Sequence, residues 1–235
     1  VDCHAHLLAG VDDGPQTEDA SVRMLEDSAA GGTRTLFVTS HVDERFPWSA
    51  QRRDALSRAF DRLLELGDKV PECPQLRMAY ELAPRPETEE FRADPAHWRL
   101  PGTDVVLVDG PDDIPMEHDP GILEYVRRVT AAGLRPVVAH PERRAFLFPG
   151  DRDFADALKA NGALLQVDSG ALLGFDGPAV AAEAHRLIDE GLVDLVASDA
   201  HEPGEADLRS VYDHLYRHLG PGSEALLNGT ALEER

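Results

Sequence analysis

Basic residues are scarce in this chain: 23 Lys and Arg face 44 Asp and Glu, giving a formal net charge of -21 at pH 7. A field of that sign repels phosphate backbones and anionic lipid surfaces, so neither nucleic acid nor membrane is an expected partner. Cysteine is scarcer still, with Cys3 and Cys73 the only two. That excludes a disulfide scaffold and a thiolate zinc site of paired spacing, and it fits a reduced, cytoplasmic setting. No apolar run approaches the roughly 20 residues that span a bilayer, and the charged first turn of the chain does not read as a signal peptide.

What is present is an ordinary globular composition, 42% hydrophobic and 29% charged over 235 residues. This suits one α/β domain spanning residues 1–235. Short apolar runs alternate with longer amphipathic stretches, the rhythm of repeated βα units around a parallel sheet. Strands are predicted at 2–6, 35–41, 75–81, 104–110, 136–142, 163–170 and 194–201. Helices are predicted at 18–30, 49–66, 120–132, 151–161, 178–190 and 204–218. Gly31-Gly32, Gly133, Gly162 and Gly191 follow four of them, as left-handed helix ends prefer. The proline-rich segment 84–103 reads as a long connection holding a short helix, and 110–121 as an irregular loop.

In a parallel α/β barrel, functional groups gather at the C-terminal ends of the strands. Those ends carry His4 and His6 on the first strand, His41 on the second, Glu81 on the third, Asp109 on the fourth, His140 on the fifth, and Asp199 and His201 on the seventh. Residues i and i+2 of a strand share a face, so His4-x-His6 and Asp199-x-His201 each offer two ligands to one side. Imidazoles and carboxylates left unpaired at a barrel mouth would be costly, which favours metal ligation. His97, His118, His185, His214 and His218 fall in predicted loops or helices and read as surface or capping residues. Asp12 and Asp13 of the VDDG turn equally suit plain turn formers, and Asp109 before Gly110-Pro111 could simply start a turn.

The segments HAHLLAGVDDGP (4–15), TSH (39–41), AHPER (139–143), Ser169-Gly170 and ASDAH (197–201) together resemble the signatures of PHP-domain bacterial protein-tyrosine phosphatases, a group tied to capsule and exopolysaccharide synthesis. The resemblance implies an α/β fold, a distorted (βα)7 barrel, holding three divalent ions, manganese foremost, with iron or zinc as alternatives. Carried over position by position, His4, His6, Glu81 and Asp199 would hold the first ion. Glu81 would bridge to a second completed by Asp109 and His140, and Asp13, His41 and His201 would hold the third. Arg143 matches a catalytic, phosphate-binding arginine. The implied partner is a phosphorylated protein, such as a tyrosine autokinase. Three positions depart from the pattern: Asp109 replaces a glutamate and is followed by Gly110-Pro111 rather than an aromatic residue and Pro, Asp168 replaces a small hydroxyl residue, and Ala206 stands where a further arginine is expected, with Arg209 or Arg144 as stand-ins.

Three divalent ions against the carboxylates of Asp13, Glu81, Asp109 and Asp199 would leave the cluster at about +2, or about +1 with a bridging hydroxide, and so attractive to a phosphate dianion. The expected chemistry is attack by metal-bound hydroxide without a phospho-enzyme; neither cysteine sits in the C-x5-R loop of cysteine phosphatases, and Cys3 should alternate away from the His4 and His6 face. Three other readings stay open on sequence. One is a phosphatase of small phosphomonoesters of the histidinol-phosphate type. Another is an amidohydrolase, which the lysines Lys69 and Lys159, both away from the strand ends, argue against. The third is a catalytically silent PHP barrel.

Overall fold

The computed structural model describes residues 1–83, 94–109, 121–143 and 154–233. Of the positions named above, Gly110-Pro111, His118 and Arg144 lie outside them, as do most of the 110–121 loop and the first residues of the helices predicted at 120–132 and 151–161. Among the described residues seven strands form one parallel sheet in sequence order: β1 (Asp2–Ala5), β2 (Thr35–Val42), β3 (Gln75–Leu82), β4 (Val105–Val108), β5 (Arg135–Ala139), β6 (Leu164–Asp168) and β7 (Leu195–Ala197). The sheet curls until its edges nearly meet. Ala5 bridges Ala200, His6 N–H donates to the Ala200 carbonyl at 2.8 Å, and Asp199 N–H donates to the His4 carbonyl at 2.8 Å.

Helices Glu18–Ala30, Ala50–Gly67, Gly121–Ala131, Phe154–Ala160, Pro178–Asp189 and Arg209–Leu219 cover the outside. The first two begin at hydroxyl caps, Thr17 accepting from Ala20 N–H and Ser49 from Arg52 N–H. Each buries one apolar stripe. Met24, Leu25 and Leu56 are fully buried, and each contributes roughly 1.5–3 kcal/mol.

Strands covered on both faces read as continuous apolar runs, as in Val105–Val108, where all four residues are buried. One apolar cluster draws on every strand, with Cys3, Phe37, Ala79, Leu107, Val137, Leu164 and Leu195 among its members; it fills the barrel interior. Two other clusters join the outward faces of the strands to the helices. Two-residue alternation then carries five of the seven interior columns from apolar residues to polar groups at the mouth: Phe37, Thr39, His41; Ala79, Glu81; Leu107, Asp109; Leu164, Gln166, Asp168; Leu195, Ala197, Asp199.

The strand and helix bounds agree with the sequence reading to within a few residues, with two informative differences. The sixth strand stops at Asp168 because Asp168 N–H turns to Glu142 Oε1 at 2.8 Å, and a short helix, Ser169–Leu173, follows. The last long helix starts at Arg209 rather than 204. Pro203 and Gly204 (φ 98°) make a turn there, and the Glu205 carboxylate accepts the His201 and Glu202 N–H groups at 2.8 and 2.9 Å. Of the segment 84–103, residues 84–93 lie outside those described, and the described part holds a single turn, Pro95–Trp98, which seats Trp98 in the core beside Trp48 and Tyr80.

Candidate metal centre

Two local backbone devices shape the mouth in addition to simple alternation. The pairing of β1 with β2 shifts register between Asp2 and Ala5. Cys3 is consequently an interior residue, rather than lying across the sheet from the His4 face as alternation predicts. At the ends of β5 and β7, His140 (φ 34°) and Asp199 (φ 48°) adopt left-handed backbone. Non-glycine residues held so are strained, and such strain concentrates at functional sites. The VDDG turn folds back over β1, bringing Gly14 so near that a Cβ there would lie 2.8 Å from the His6 carbonyl oxygen. This turn delivers Asp12 and Asp13.

All nine candidate ligands come together. They form four overlapping groups whose ligand atoms lie within 4.8 Å of one another: His6, Asp13, His41 and His201; His4, His6 and Glu81; His4, His140 and Asp199; His41, Glu81 and Asp109. Glu81 stands at the middle. Its Oε1 lies 3.2 Å from His4 Nε2 and 3.3 Å from His140 Nε2, and its Oε2 lies 2.9 Å from His41 Nδ1 and 3.3 Å from His6 Nε2. Asp199 Oδ1 lies 3.1 Å from His4 Nε2 and 3.5 Å from His6 Nε2. Asp13 Oδ1 faces His41 Nε2 at 3.1 Å and His201 Nε2 at 3.5 Å.

The outer ring nitrogens decide what the inner ones can do. Gln166 donates through Nε2 to Asp168 Oδ1 at 2.8 Å, which leaves its Oε1 to accept from His4 Nδ1 at 3.0 Å. His201 Nδ1 lies 2.8 Å from the Asp199 carbonyl, which can only accept. His6 Nδ1 faces Asp12 Oδ2 at 3.6 Å. For His4 and His201 the outer nitrogen carries a proton held by an acceptor, which turns Nε2 into the cluster, where cation ligation needs it once any proton of its own has left. The donor set of buried imidazoles and carboxylates therefore fits divalent ions, and the two adjacent Nε2 atoms of His4 and His6, 3.2 Å apart, suit a shared cation better than each other.

The electrostatics agree. Burial pushes the His4 and His6 imidazoles down, but the carboxylates around them prevail and hold His4 up at about 9, through Glu81 and Asp199, and His6 at about 10, through Asp12 and Glu81. Burial works to raise Glu81 and Asp199, yet His4 and its fellow imidazoles take Glu81 well below the carboxylate range and Asp199 to about 2. Positive charge is what this cluster demands.

Arg143 follows β5 directly, and its Nη2 lies 2.7 Å from Asp168 Oδ2 and 3.0 Å from Asp199 Oδ2. It opens on a pocket lined also by Ser169, Gly170, Phe175, Asp176 and His201. Ala206 is fully buried in the core, so no arginine could be accommodated there without repacking, and Arg209 is exposed on the last long helix. The supporting residues Gln166 and Glu142 have no signal of that role in the sequence, whereas Asp12, which suits a turn former there, is flagged by its place in VDDG beside Asp13.

Residues 1–225 match the family described as capsular polysaccharide synthesis, CpsB/CapC. The chain belongs to the CpsB/CapC family. Similar members are the tyrosine-protein phosphatase YwqE of Bacillus subtilis (strain 168), 29% identical over 206 residues covering 86% of this chain and 77% of YwqE; CpsB of Streptococcus agalactiae serotype V, 26% identical over 86% of this chain and 82% of that protein; and the putative tyrosine-protein phosphatase CapC of Staphylococcus aureus, 22% identical over 97% and 91%. A solved structure described among those of YwqE from Bacillus subtilis and CpsB from Streptococcus pneumoniae, metal-dependent tyrosine phosphatases, superposes with a TM-score of 0.80 at 25% identity, covering 98% of this chain and 92% of the other. The CpsB/CapC barrel thus accounts for almost the whole chain.

Proposed function

We propose that this chain is a metal-dependent protein-tyrosine phosphatase that holds three divalent ions, manganese foremost, on His4, His6, Asp13, His41, Glu81, Asp109, His140, Asp199 and His201. The observation that carries the reading is the convergence of these nine groups, from six strand ends and the VDDG turn, into four overlapping sets, two of which share Glu81. The ions would supply Lewis acidity toward phosphoryl oxygens and an activated water.

The chain's own residues do the rest. Gln166 and the Asp199 carbonyl hold the outer imidazole protons of His4 and His201, so both rings already turn Nε2 toward the cluster. Arg143 offers a guanidinium fork to two phosphoryl oxygens as charge shifts between them, the geometry for which arginine is suited. Phe175, 76% exposed at the rim of the same pocket, offers an aromatic face to the ring of a phenolic ester. A tyrosine leaving group has a pKa near 10, so it departs with less proton assistance than an alkoxide. Neither cysteine competes as nucleophile. Burial, with Asp2 adding to it, lifts the Cys3 thiol far above its ordinary value, and Cys73 is raised by burial too. A phosphorylated cytoplasmic protein, a tyrosine autokinase being one, is the substrate class this implies.

The test is phosphate release by the manganese-loaded protein from phosphotyrosine peptides, matched phosphoserine peptides, and sugar and amino-alcohol phosphates. Preference for phosphotyrosine, lost on chelation and in Glu81→Gln, is expected. Preference for an amino-alcohol phosphate, or no release with any metal, would sink the assignment.

A further inference from the structure

Three of the histidines that fall on or near the outer helices assemble away from the barrel mouth. His185 belongs to helix Pro178–Asp189, and His214 and His218 to helix Arg209–Leu219. The His185 ring centroid lies 4.9 Å from that of His214 and 6.0 Å from that of His218. Asp189 completes the group, its Oδ1 2.6 Å from His218 Nε2. Spacing explains the convergence. His185 and Asp189 are four residues apart on one helix, as are His214 and His218 on the other, so each pair occupies one face of its helix and the two faces meet. Together with Arg217 the three imidazoles line an open groove in the surface.

We propose that this groove is a second metal site, separate from the barrel mouth, which takes a borderline transition ion of the zinc, nickel or copper class through His185, His214, His218 and Asp189. Imidazole-rich sets favour those ions over the hard cations that carboxylates prefer. Two arginines flank the cluster, and both are engaged by other groups. Arg186, the other cation on the first helix near it, is held by Glu183 and Glu190, and Arg217 Nε donates to the Asp213 carbonyl at 3.0 Å. Burial, then His185, Arg217 and His218, hold the His214 imidazole below its ordinary value, which favours the neutral ligand form. Binding exchanges the His218 to Asp189 hydrogen bond for two metal bonds and needs the His185 and His214 rings to rotate toward the shared ion. The bound ion would cross-link two helices that follow the pocket-lining segments 169–177 and 201–208.

The experiment is a zinc titration by calorimetry of protein whose barrel centre has first been saturated with stoichiometric zinc, run on the parent chain and on His185→Asn/His214→Asn. One additional equivalent in the parent and none in the variant is expected, with phosphatase activity on p-nitrophenyl phosphate unchanged, because neither residue belongs to the barrel-mouth cluster. Identical isotherms would overturn the site. Should the double variant fail to fold by circular dichroism, the exposed single change His218→Asn is titrated instead, and histidine ring resonances of the parent are followed with zinc. Shifts at His185, His214 and His218 support the site; their absence overturns it.

Discussion

Arg143 spends the resting state between two carboxylates, Asp168 and Asp199, so an incoming phosphate must compete for its guanidinium. Asp168 is buried and, unlike Asp199, is not one of the nine candidate ligands. Replacing it by asparagine keeps an acceptor for Gln166 Nε2 and removes the charge. Asp168→Asn should lower KM for p-nitrophenyl phosphate several-fold, with a smaller change in kcat. In the metal-free protein burial, only partly offset by Arg143, pushes the Asp168 carboxyl up to about 6; cations held by the neighbouring cluster oppose that shift and keep the carboxylate charged in the loaded enzyme. A KM left unchanged by the substitution would count against competition for Arg143. Arg143→Ala removes the fork itself and should cost about 10²–10³ in kcat/KM, the usual scale for one lost oxyanion donor. An activity within a few-fold of the parent would remove Arg143 from the mechanism.

Among elements, the weakest seam is the one that closes the barrel. β1 and the chain beyond β7 share the Ala5 to Ala200 bridge and two backbone hydrogen bonds, whereas β2 and β3 pair along eight residues. Asp2 compensates: fully buried, its Oδ1 accepts the N–H of His4 at 3.3 Å and of Ser198 at 3.1 Å, and Ser198 Oγ donates to the His4 carbonyl at 3.2 Å. Asp2→Ala strands two buried N–H groups, so it should cost about 1–3 kcal/mol in urea unfolding. Because the seam positions His4 and Asp199, manganese affinity should fall by about 10–100-fold, the scale for lost supporting hydrogen bonds; unchanged stability and affinity would show the seam to be redundant. Elements of this kind separate what the sequence reveals from what it conceals. Apolar runs such as Val105–Val108 and caps such as Thr17 announce their elements locally, and eight of the nine ligand candidates were legible because His, Asp and Glu recur at strand ends, Asp13 entering only through the family resemblance. Asp2, Gln166 and Glu142 were not, since a lone polar residue inside a strand or turn has no period, and its role exists only once a partner distant in sequence, such as His4 or Asp168, stands beside it. The register shift in β1 was hidden for the same reason, and it moved Cys3 into the barrel.

At the scale of the molecule, a net charge of -21 and a core of opposed imidazoles and carboxylates make stability a matter of cations, protons or metal. In the metal-free protein, protons fill that place. His4 at about 9 and His6 at about 10 stand above the unfolded value near 6.5, burial being outweighed by Glu81, Asp199 and Asp12. The sign follows from proton linkage: a raised folded pKa contributes stability that is complete below about 6.5 and lost as pH rises through 9 and 10. Metal reverses the dependence, because ligation requires both Nε2 atoms free and so expels those protons, and affinity grows as the solution becomes more basic. The melting temperature of chelated protein should thus decline from pH 6.5 to 9, while the increment gained on adding manganese widens over the same interval. Calorimetric titration near pH 7 in buffers of different ionisation enthalpy should register proton release on loading. A gap between loaded and chelated melting temperatures that narrows with rising pH, with no proton release, would mean that His4 and His6 do not ligate the ions.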